Sequence, residues 1–339
     1  MTADPARLQS ILDSFVAKGA VGALARFQDG DHTWTGSSGV AELGTTKPVE
    51  AGGWFRIGSL TKAFTATVLL QLVDEGALRL EDSVDQWLPD LIPGGGAITI
   101  GHLARQTSGL HNYTDGMSDA AVALKRRFSP QSPREIVASA ARRPRLFPVG
   151  ERRSYSNTNY VALGMVIEKC TANRYGTEIE RRILRPAGMT STVADCEETT
   201  IPDPHARGYL AVTDGVVDIT EYSPAWAWSA GGIVSTAEDL NRFYAALLTG
   251  GLLPAGQLRA MQETVPGGDP SMDLGLGIAR VSLPGGEFVW GNAGGFYGYH
   301  AWSFHTSDGQ RQFSASATYG AGPRPPATSQ LLAAVFQAG

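Results

Sequence analysis

A serine and a lysine stand three residues apart in the segment IGSLTK, as Ser59 and Lys62. Residues i and i+3 of a helix share one face, so the hydroxyl and the amine can touch across a turn. A serine hydroxyl is a weak nucleophile that needs a base within hydrogen-bond reach, and a lysine among apolar neighbours gives up its proton more readily. The pair predicts Ser59 as nucleophile and Lys62 as base. The alternative is that Ser59 caps a helix and Lys62 extends to solvent.

A second segment with candidate catalytic side chains reads ERRSYSNTNYVALG, with Tyr155 and Asn157 two residues apart. We expect both in a loop before a helix that begins near Asn159. A phenol beside a cation can act as a general base or a proton relay, and whether it or the lysine takes the first proton stays open. The Asn157 amide can bond both Lys62 and a substrate carbonyl. The alternative is that Ser156 or Asn157 caps the helix.

A third segment, VWGNAGGFYGYHAWSF, is rich in glycine. Gly291, Gly294 and Gly295 let the backbone lie close to a ligand along a strand edge. The backbone N–H of Gly295, together with that of Ser59, would form an oxyanion hole. Taken alone, the segment favours the alternative, a glycine-rich turn at the sheet edge.

In this order, the three segments resemble the motifs of the serine penicillin-recognising superfamily, which includes serine β-lactamases, D-alanyl-D-alanine peptidases and related esterases. The family pattern is S-x-x-K, then Y-x-N, then [KH]-[TSA]-G on a strand. The stretches RIGSLTKAFTATVLLQLVDEGALRLEDSVDQWLP, HLARQTSGLHNY and WSAGGIVSTAEDL look like carboxypeptidases of the class C type, so the likeness covers nearly the whole chain. The resemblance implies roles in nucleophilic attack and proton transfer for Ser59, Lys62, Tyr155 and Asn157.

The third motif departs from the family pattern. Asn292 stands where the family has Lys or His, Ala293 where it has Thr or Ser, and Gly294 follows. Gly295 replaces a further threonine of the carboxypeptidases. In the family these side chains, often with a nearby arginine, hold the substrate's free carboxylate, and Arg280 falls where that arginine would be. Each lost charge-assisted hydrogen bond costs about 1.5–3 kcal/mol, so the resemblance implies intact acyl-serine chemistry with weakened recognition of D-alanyl-D-alanine.

Aromatic residues near these motifs are candidates to line the cleft. Aromatic walls suit a cyclic or apolar substrate and exclude water, which favours acyl transfer over hydrolysis. Ordinary core packing is the alternative for about half of them. The candidates are Trp226, Trp228, Tyr113, Phe296, Tyr297 and Tyr299.

Composition narrows the class of protein. The 339 residues are 42% hydrophobic and 18% charged with a net charge of −5, and no basic run predicts a nucleic-acid partner. No apolar run reaches the ~18 residues of a membrane span, and the first segment lacks the features of a signal peptide, so we expect a cytoplasmic protein without a membrane partner. The six histidines show no metal-ligand spacing, which predicts neither metal nor cofactor. Cys170 and Cys196 are expected as free thiols.

The hydrophobic patterns predict an α+β protein. A hairpin turning at residues 28–31 and a group of alternating strands after residue 274 would build one antiparallel sheet from both chain ends, with helices on it and a helical lobe inserted. This is the β-lactamase/transpeptidase-like fold that the resemblance implies. We expect a sheet lobe from residues 1–80 and 220–339, a helical lobe from 81–219, and the active site between them. Helices are predicted over residues 5–18, 59–76, 159–171, 176–184, 236–250 and 329–337.

These observations favour an intracellular enzyme that forms an acyl-Ser59 intermediate from a small ester or amide. The acyl group would pass to water or to an amine or alcohol acceptor, so the expected partners are a small-molecule acyl donor and acceptor. A D-alanyl-D-alanine carboxypeptidase or a class C-type β-lactamase is one alternative. An inactive binding protein on the same scaffold is another, although a binder has no need of all four catalytic residues. No G-x-S-x-G motif supports an α/β-hydrolase.

Overall fold

An eight-stranded antiparallel sheet forms the centre of the computed structural model, which describes residues 4–117, 119–129, 131–266, 272–320 and 327–336. The strands are β1 (Ala20–Asp29), β2 (His32–Gly39), β3 (Phe55–Arg56), β4 (Tyr209–Val212), β5 (Gly215–Asp218), β6 (Val234–Ser235), β7 (Val265–Pro266), β8 (Met272–Leu274), β9 (Ala279–Ser282), β10 (Phe288–Phe296), β11 (Tyr299–His305) and β12 (Arg311–Tyr319). The sheet order is β2-β1-β12-β11-β10-β9-β8-β7, while β3 pairs with β6 and β4 with β5.

Strands from the two chain ends meet where β1 pairs with β12, for example at Ala25 and Ala315. Helices cover the sheet, and this explains why nearly every residue of β12 is buried. The helices are α1 (Pro5–Ala17), α2 (Thr61–Asp74), α3 (Val84–Trp87), α4 (Ile100–Ala104), α5 (Ala120–Arg126), α6 (Pro133–Ala141), α7 (Asn157–Thr171), α8 (Tyr175–Ile179), α9 (Trp228–Gly231), α10 (Ala237–Leu248), α11 (Ala255–Gln262) and α12 (Thr328–Phe336).

The predicted fold class, an antiparallel sheet from both chain ends flanked by helices, is confirmed. Leucine and phenylalanine side chains of α1 and α12 pack on one face of the sheet, against residues such as Trp302 and Phe313. The larger core is one cluster of buried side chains. It contains residues of α2, α7 and α10 together with Leu24 of β1 and Ala301 of β11. The division into a sheet lobe and a helical lobe stays a prediction.

Two local features of the chain position the predicted site. A 3-10 turn, Gly58–Leu60, precedes α2, so the α-helix begins at Thr61 rather than at Ser59 as the sequence predicts. Helix α7 begins at Asn157 instead of near Asn159. Ser156 does not cap α7 through its side chain, because its hydroxyl donates to the carbonyl of His111.

Candidate active site

The three predicted reactive groups meet at one point. Ser59 Oγ lies 2.7 Å from Tyr155 Oη and 3.0 Å from Lys62 Nζ. The amine is 3% exposed, whereas Tyr155 is 45% exposed. The lysine therefore approaches the serine from inside the protein, and the tyrosine approaches it from the open cleft.

The surroundings of Lys62 make its amine easier to deprotonate. Burial lowers the pKa of the Lys62 amine below its ordinary value of 10.5, and the Tyr155 phenol partly opposes this effect. Nζ donates to Asn157 Oδ1 at 2.7 Å and to the carbonyl of Ala230 at 2.6 Å. Nζ also lies 3.0 Å from Ser59 Oγ, to which the ammonium form donates. The Asn157 and Ala230 oxygens cannot donate, so in the neutral form they take up both N–H groups and the lone pair is directed at the Ser59 hydroxyl. This is the arrangement that a general base requires.

Asn157 holds this arrangement in place. Its Oδ1 accepts from Lys62 and, at 3.2 Å, from the Tyr155 hydroxyl. Its Nδ2 donates to Asn112 Oδ1 at 3.2 Å and to Thr114 Oγ1 at 3.1 Å, which fixes which side of the amide faces the lysine. Asn112 and Thr114 were missed by sequence reasoning, because no spacing rule connects them with a residue more than 40 positions away.

The backbone of β10 passes directly against the turn that carries Ser59. Gly58 has φ +53°, and a Cβ there would lie 2.8 Å from the backbone nitrogen of Gly295. A Cβ on Gly294 would lie 2.7 Å from the backbone nitrogen of Ser59. Only glycine permits the two backbone segments to approach this closely. The approach brings together the backbone amides of Ser59 and Gly295, which form the predicted oxyanion hole.

A cavity of about 250 Å³ opens beside Ser59. Asn292 and Ala293 of the third motif line it. The Asn292 amide is occupied locally, since its Nδ2 donates to the Gly277 carbonyl at 3.2 Å and its Oδ1 accepts from the Ala293 N–H at 3.0 Å. The other lining residues are Lys62, Ala104, Gln106, Arg153, Tyr155, Tyr160, Met272, Leu274, Gly275, Gly277 and Ile278.

Two predicted substrate-binding residues lie elsewhere. Arg280 is not among the residues that line this cavity, because its guanidinium pairs with Asp273 at 2.6 Å and lies over the Phe288 ring. Trp228 is buried behind the site, where its ring packs 5.3 Å from that of Tyr175. Its indole borders a separate cavity of about 310 Å³. One side chain is thus paired with a neighbouring carboxylate and the other is packed in the core, and a role of either in substrate binding stays a prediction.

The remaining aromatic candidates form a cluster next to Gly295, which we call the aromatic cluster: Tyr113, Trp226, Phe296 and Tyr297. The Trp226 ring lies 5.3 Å from Phe296, 5.4 Å from Tyr297 and 6.4 Å from Tyr113. The Tyr113 hydroxyl donates to the Trp226 carbonyl at 2.6 Å.

Tyr299 is separate from this cluster. It is fully buried and donates to the Ala206 carbonyl, so it is a core residue.

The fold and the Ser59–Lys62–Tyr155 arrangement together define a protein of the serine penicillin-recognising superfamily with a β-lactamase/transpeptidase-like fold. A family model described as Beta-lactamase matches residues 8–318. The chain therefore belongs to the Beta-lactamase family.

Similar proteins include both penicillin-binding proteins and amidases. Penicillin-binding protein 4 of Amycolatopsis lactamdurans is 30% identical over 69% of this chain. The chain spans 54% to 63% of the length of the first curated relatives it matches. Among solved structures, a D-stereospecific amidohydrolase from Streptomyces sp. is 34% identical with a TM-score of 0.90, covering 98% of this chain and 99% of that one. The D-amino acid amidase of Ochrobactrum anthropi SV3 is 28% identical with a TM-score of 0.83, covering 94% and 92%.

No helix among the described residues is long and apolar enough to cross a membrane.

Proposed function

We propose that the protein is a serine acyl-transfer enzyme acting on small amides and esters, with D-amino acid derivatives as the preferred acyl donors. It forms an acyl-Ser59 intermediate and passes the acyl group to water or to an amine or alcohol acceptor. The observation that carries the proposal is the Ser59 hydroxyl within hydrogen-bond distance of both the Lys62 amine and the Tyr155 hydroxyl.

Acylation begins when neutral Lys62 accepts the Ser59 proton as Oγ attacks the substrate carbonyl carbon. The carbonyl oxygen becomes an oxyanion and accepts from the backbone N–H groups of Ser59 and Gly295. Tyr155 then donates its hydroxyl proton to the leaving amine or alcohol as the carbon–heteroatom bond breaks. The Lys62 ammonium restores the proton to Tyr155, so the charges at the site return to their starting values.

Deacylation repeats these steps with a new nucleophile. Tyr155 first passes its hydroxyl proton to neutral Lys62. The resulting phenolate takes a proton from the water, amine or alcohol that occupies the space of the departed group, as this molecule attacks the acyl carbon. The Lys62 ammonium returns its proton to Ser59 Oγ when the bond between Ser59 and the acyl group breaks. Hydrolysis and transfer therefore differ only in the molecule that occupies this space.

Three features support amides and esters of D-amino acids. The structural relatives that cover nearly the full chain are named as a D-stereospecific amidohydrolase and a D-amino acid amidase. The third motif lacks the cation and hydroxyl that would hold a substrate carboxylate there, and Asn292 is bonded to its own neighbours. The aromatic cluster beside Gly295 suits an apolar side chain on the acyl group.

The cytoplasmic location stays a prediction from the sequence.

The test compares the D- and L-enantiomers of phenylalanine amide and phenylalanine methyl ester, with and without an added amine acceptor. We expect turnover of the D-enantiomers, faster product formation when the acceptor is present, and no turnover by Ser59→Ala. Acylation by a penicillin or a D-alanyl-D-alanine peptide alone would contradict the proposal and favour a carboxypeptidase or β-lactamase. If the protein binds these compounds but turns none of them over, the alternative of an inactive binding protein would be favoured.

A further inference from the structure

Gln106 is a buried side chain in the wall of the Ser59 cavity. It is 4% exposed and lies in the segment that follows α4. Its backbone has φ +63°, a left-handed conformation that residues with long side chains seldom adopt. Such conformations persist only where the surrounding structure holds them, and they gather at functional sites. The contacts that hold Gln106 therefore bear on the site beside it.

Both the backbone and the side chain of Gln106 bind the segment that carries Tyr155. The backbone carbonyl of Gln106 accepts from the backbone N–H of Ser154 at 3.0 Å. The side-chain Oε1 accepts from the backbone N–H of Ser156 at 2.9 Å and from the side-chain amide of Asn159. An amide oxygen offers two lone pairs, so Oε1 is fully used. The residues on either side of Tyr155 are thus held by one glutamine.

Tyr155 depends on these contacts because its ring is 45% exposed and gains little from packing. Its hydroxyl lies 2.7 Å from Ser59 Oγ and donates to Asn157, and its ring centroid lies 5.0 Å from the Lys62 amine. These partners all belong to the reacting set itself. A general acid must lie within hydrogen-bond reach of the atom it protonates, and a displacement of about 1 Å can lower the rate about 100-fold. The backbone on either side of Tyr155 therefore sets where the hydroxyl can act.

We propose that Gln106 is a positioning residue that holds the Tyr155 hydroxyl against the nucleophile. It acts through the backbone amides of Ser154 and Ser156 rather than on the substrate. This assignment rests on the proposed function, in which Tyr155 protonates the leaving group. The effect is selective, because the amine of an amide cannot leave without a proton, whereas some esters release a group that is stable as an anion. Gln106 thus supports the cleavage of amides in particular.

The experiment compares kcat/KM for D-phenylalanine amide with kcat/KM for the para-nitrophenyl ester of D-phenylalanine. Both substrates form the same acyl-enzyme, and para-nitrophenolate departs without a proton. In Gln106→Met, a side chain of similar length fills the space without a strong acceptor. We expect kcat/KM to fall about 10- to 100-fold for the amide and less than about threefold for the ester. Gln106→Glu keeps the acceptor oxygen and should restore most of the amide activity.

Ser108→Ala is the matched control. Ser108 is fully buried in the same segment, where its hydroxyl donates to Asn159 Oδ1 at 2.6 Å and accepts from the Leu110 N–H at 3.1 Å. Its loss removes two buried hydrogen bonds without touching the Ser156 contact, so thermal stability should fall while the amide-to-ester ratio stays unchanged. If Gln106→Met does not fold, Gln106→Asn replaces it, since asparagine tolerates a left-handed backbone but its oxygen is one methylene short.

Tyr155→Phe separates this inference from the proposed function. It should lower the amide-to-ester ratio at least as much as Gln106→Met does. A ratio lowered by Tyr155→Phe, but by neither Gln106→Met nor Gln106→Asn, overturns the positioning role and leaves the proposed function standing. An equal effect of Ser108→Ala also overturns it, because the segment as a whole would then be responsible. If Tyr155→Phe itself leaves the ratio unchanged, the leaving-group role of Tyr155 in the proposed function fails, and the inference fails with it.

Discussion

The two walls that meet at Ser59 are built differently. On the wall formed by α2 and the start of α7, side chains border Ser59, and the polar atoms of Lys62 and Asn157 are all engaged in hydrogen bonds. On the β10 wall the approach is made by backbone alone, at Gly294 and Gly295. The first wall thus keeps a complete set of hydrogen-bonded side chains, whereas the third motif on the second wall offers neither a cation nor a hydroxyl.

The two walls should also differ in how much a substitution costs in free energy. On the first wall each buried polar group depends on the others, so removing one partner leaves another unpaired at a cost of about 1–3 kcal/mol. On β10, Asn292 bonds to Gly277, which lies between β8 and β9, and to the adjacent Ala293. Substitutions there should alter which substrate is bound more than whether Ser59 is acylated.

The largest effect is expected on the first wall, for Lys62→Met. A methionine of similar length fills the buried space but cannot accept the Ser59 proton, so the rate of acylation by D-phenylalanine methyl ester should fall about 100- to 10,000-fold. The measurement is pre-steady-state acylation, with circular dichroism as the check on folding. Acylation at the wild-type rate would show that Tyr155 alone deprotonates Ser59.

Gly58→Ala tests the backbone contact between the walls. The new Cβ would lie 2.5 Å from the carbonyl oxygen of Gly295 and would strain a residue at φ +53°. The 3-10 turn at Gly58 and strand β10 must move apart, and loss of one oxyanion-hole donor lowers kcat about 100- to 1,000-fold.

The matched control is Gly256→Ala, because Gly256 has open space around its Cβ position. It should keep its activity. Equal kcat values for the two variants would contradict the role of the Gly58–Gly295 contact.

The pH dependence of acylation separates the two possible bases. Because burial lowers the Lys62 pKa below 10.5, kcat/KM should rise with pH and level off before that value. Below the Lys62 pKa the neutral fraction falls about tenfold per pH unit, and acylation should fall with it. Lys62→Met should show no such rise. A rise that persists in this variant would assign the first proton transfer to another group.

The smallest effect is expected for restoring the third motif, with Asn292→Lys combined with Ala293→Thr. The two side chains return a cation and a hydroxyl to the β10 wall. Cleavage of a D-alanyl-D-alanine peptide should improve about tenfold relative to D-phenylalanine amide, which corresponds to one charge-assisted hydrogen bond. The measurement is the ratio of the two kcat/KM values. An unchanged ratio would show that the lost side chains do not account for substrate choice.

The sequence predicted the residues whose spacing is local. Ser59 and Lys62 touch because three residues separate them, and Tyr155 and Asn157 were found through a motif of three positions. The strands at the two chain ends were predicted by alternation, and the sheet that they form is confirmed. The start of α7 was placed two residues late because Asn157 looks like a capping residue, whereas its side chain is used by Lys62.

Contacts between distant segments could not be predicted in the same way. The Ala230 carbonyl reaches Lys62 from 168 positions away through its backbone, which leaves no trace in residue type. Arg280 was chosen by its position in a motif, but Asp273 pairs with it across neighbouring strands. Gln106 was overlooked because a lone glutamine forms no pattern in a sequence, and only the fold brings it against the segment before α7.

The central claim is that Ser59 carries the acyl group during turnover. The most direct test is the intact mass of the protein, quenched in acid during turnover of D-phenylalanine methyl ester, followed by peptide mapping of the adduct. The account predicts one phenylalanyl group on Ser59 in the wild type and none in Ser59→Ala. An adduct on another residue, or ester turnover by the Ser59→Ala variant at the wild-type rate, would contradict it.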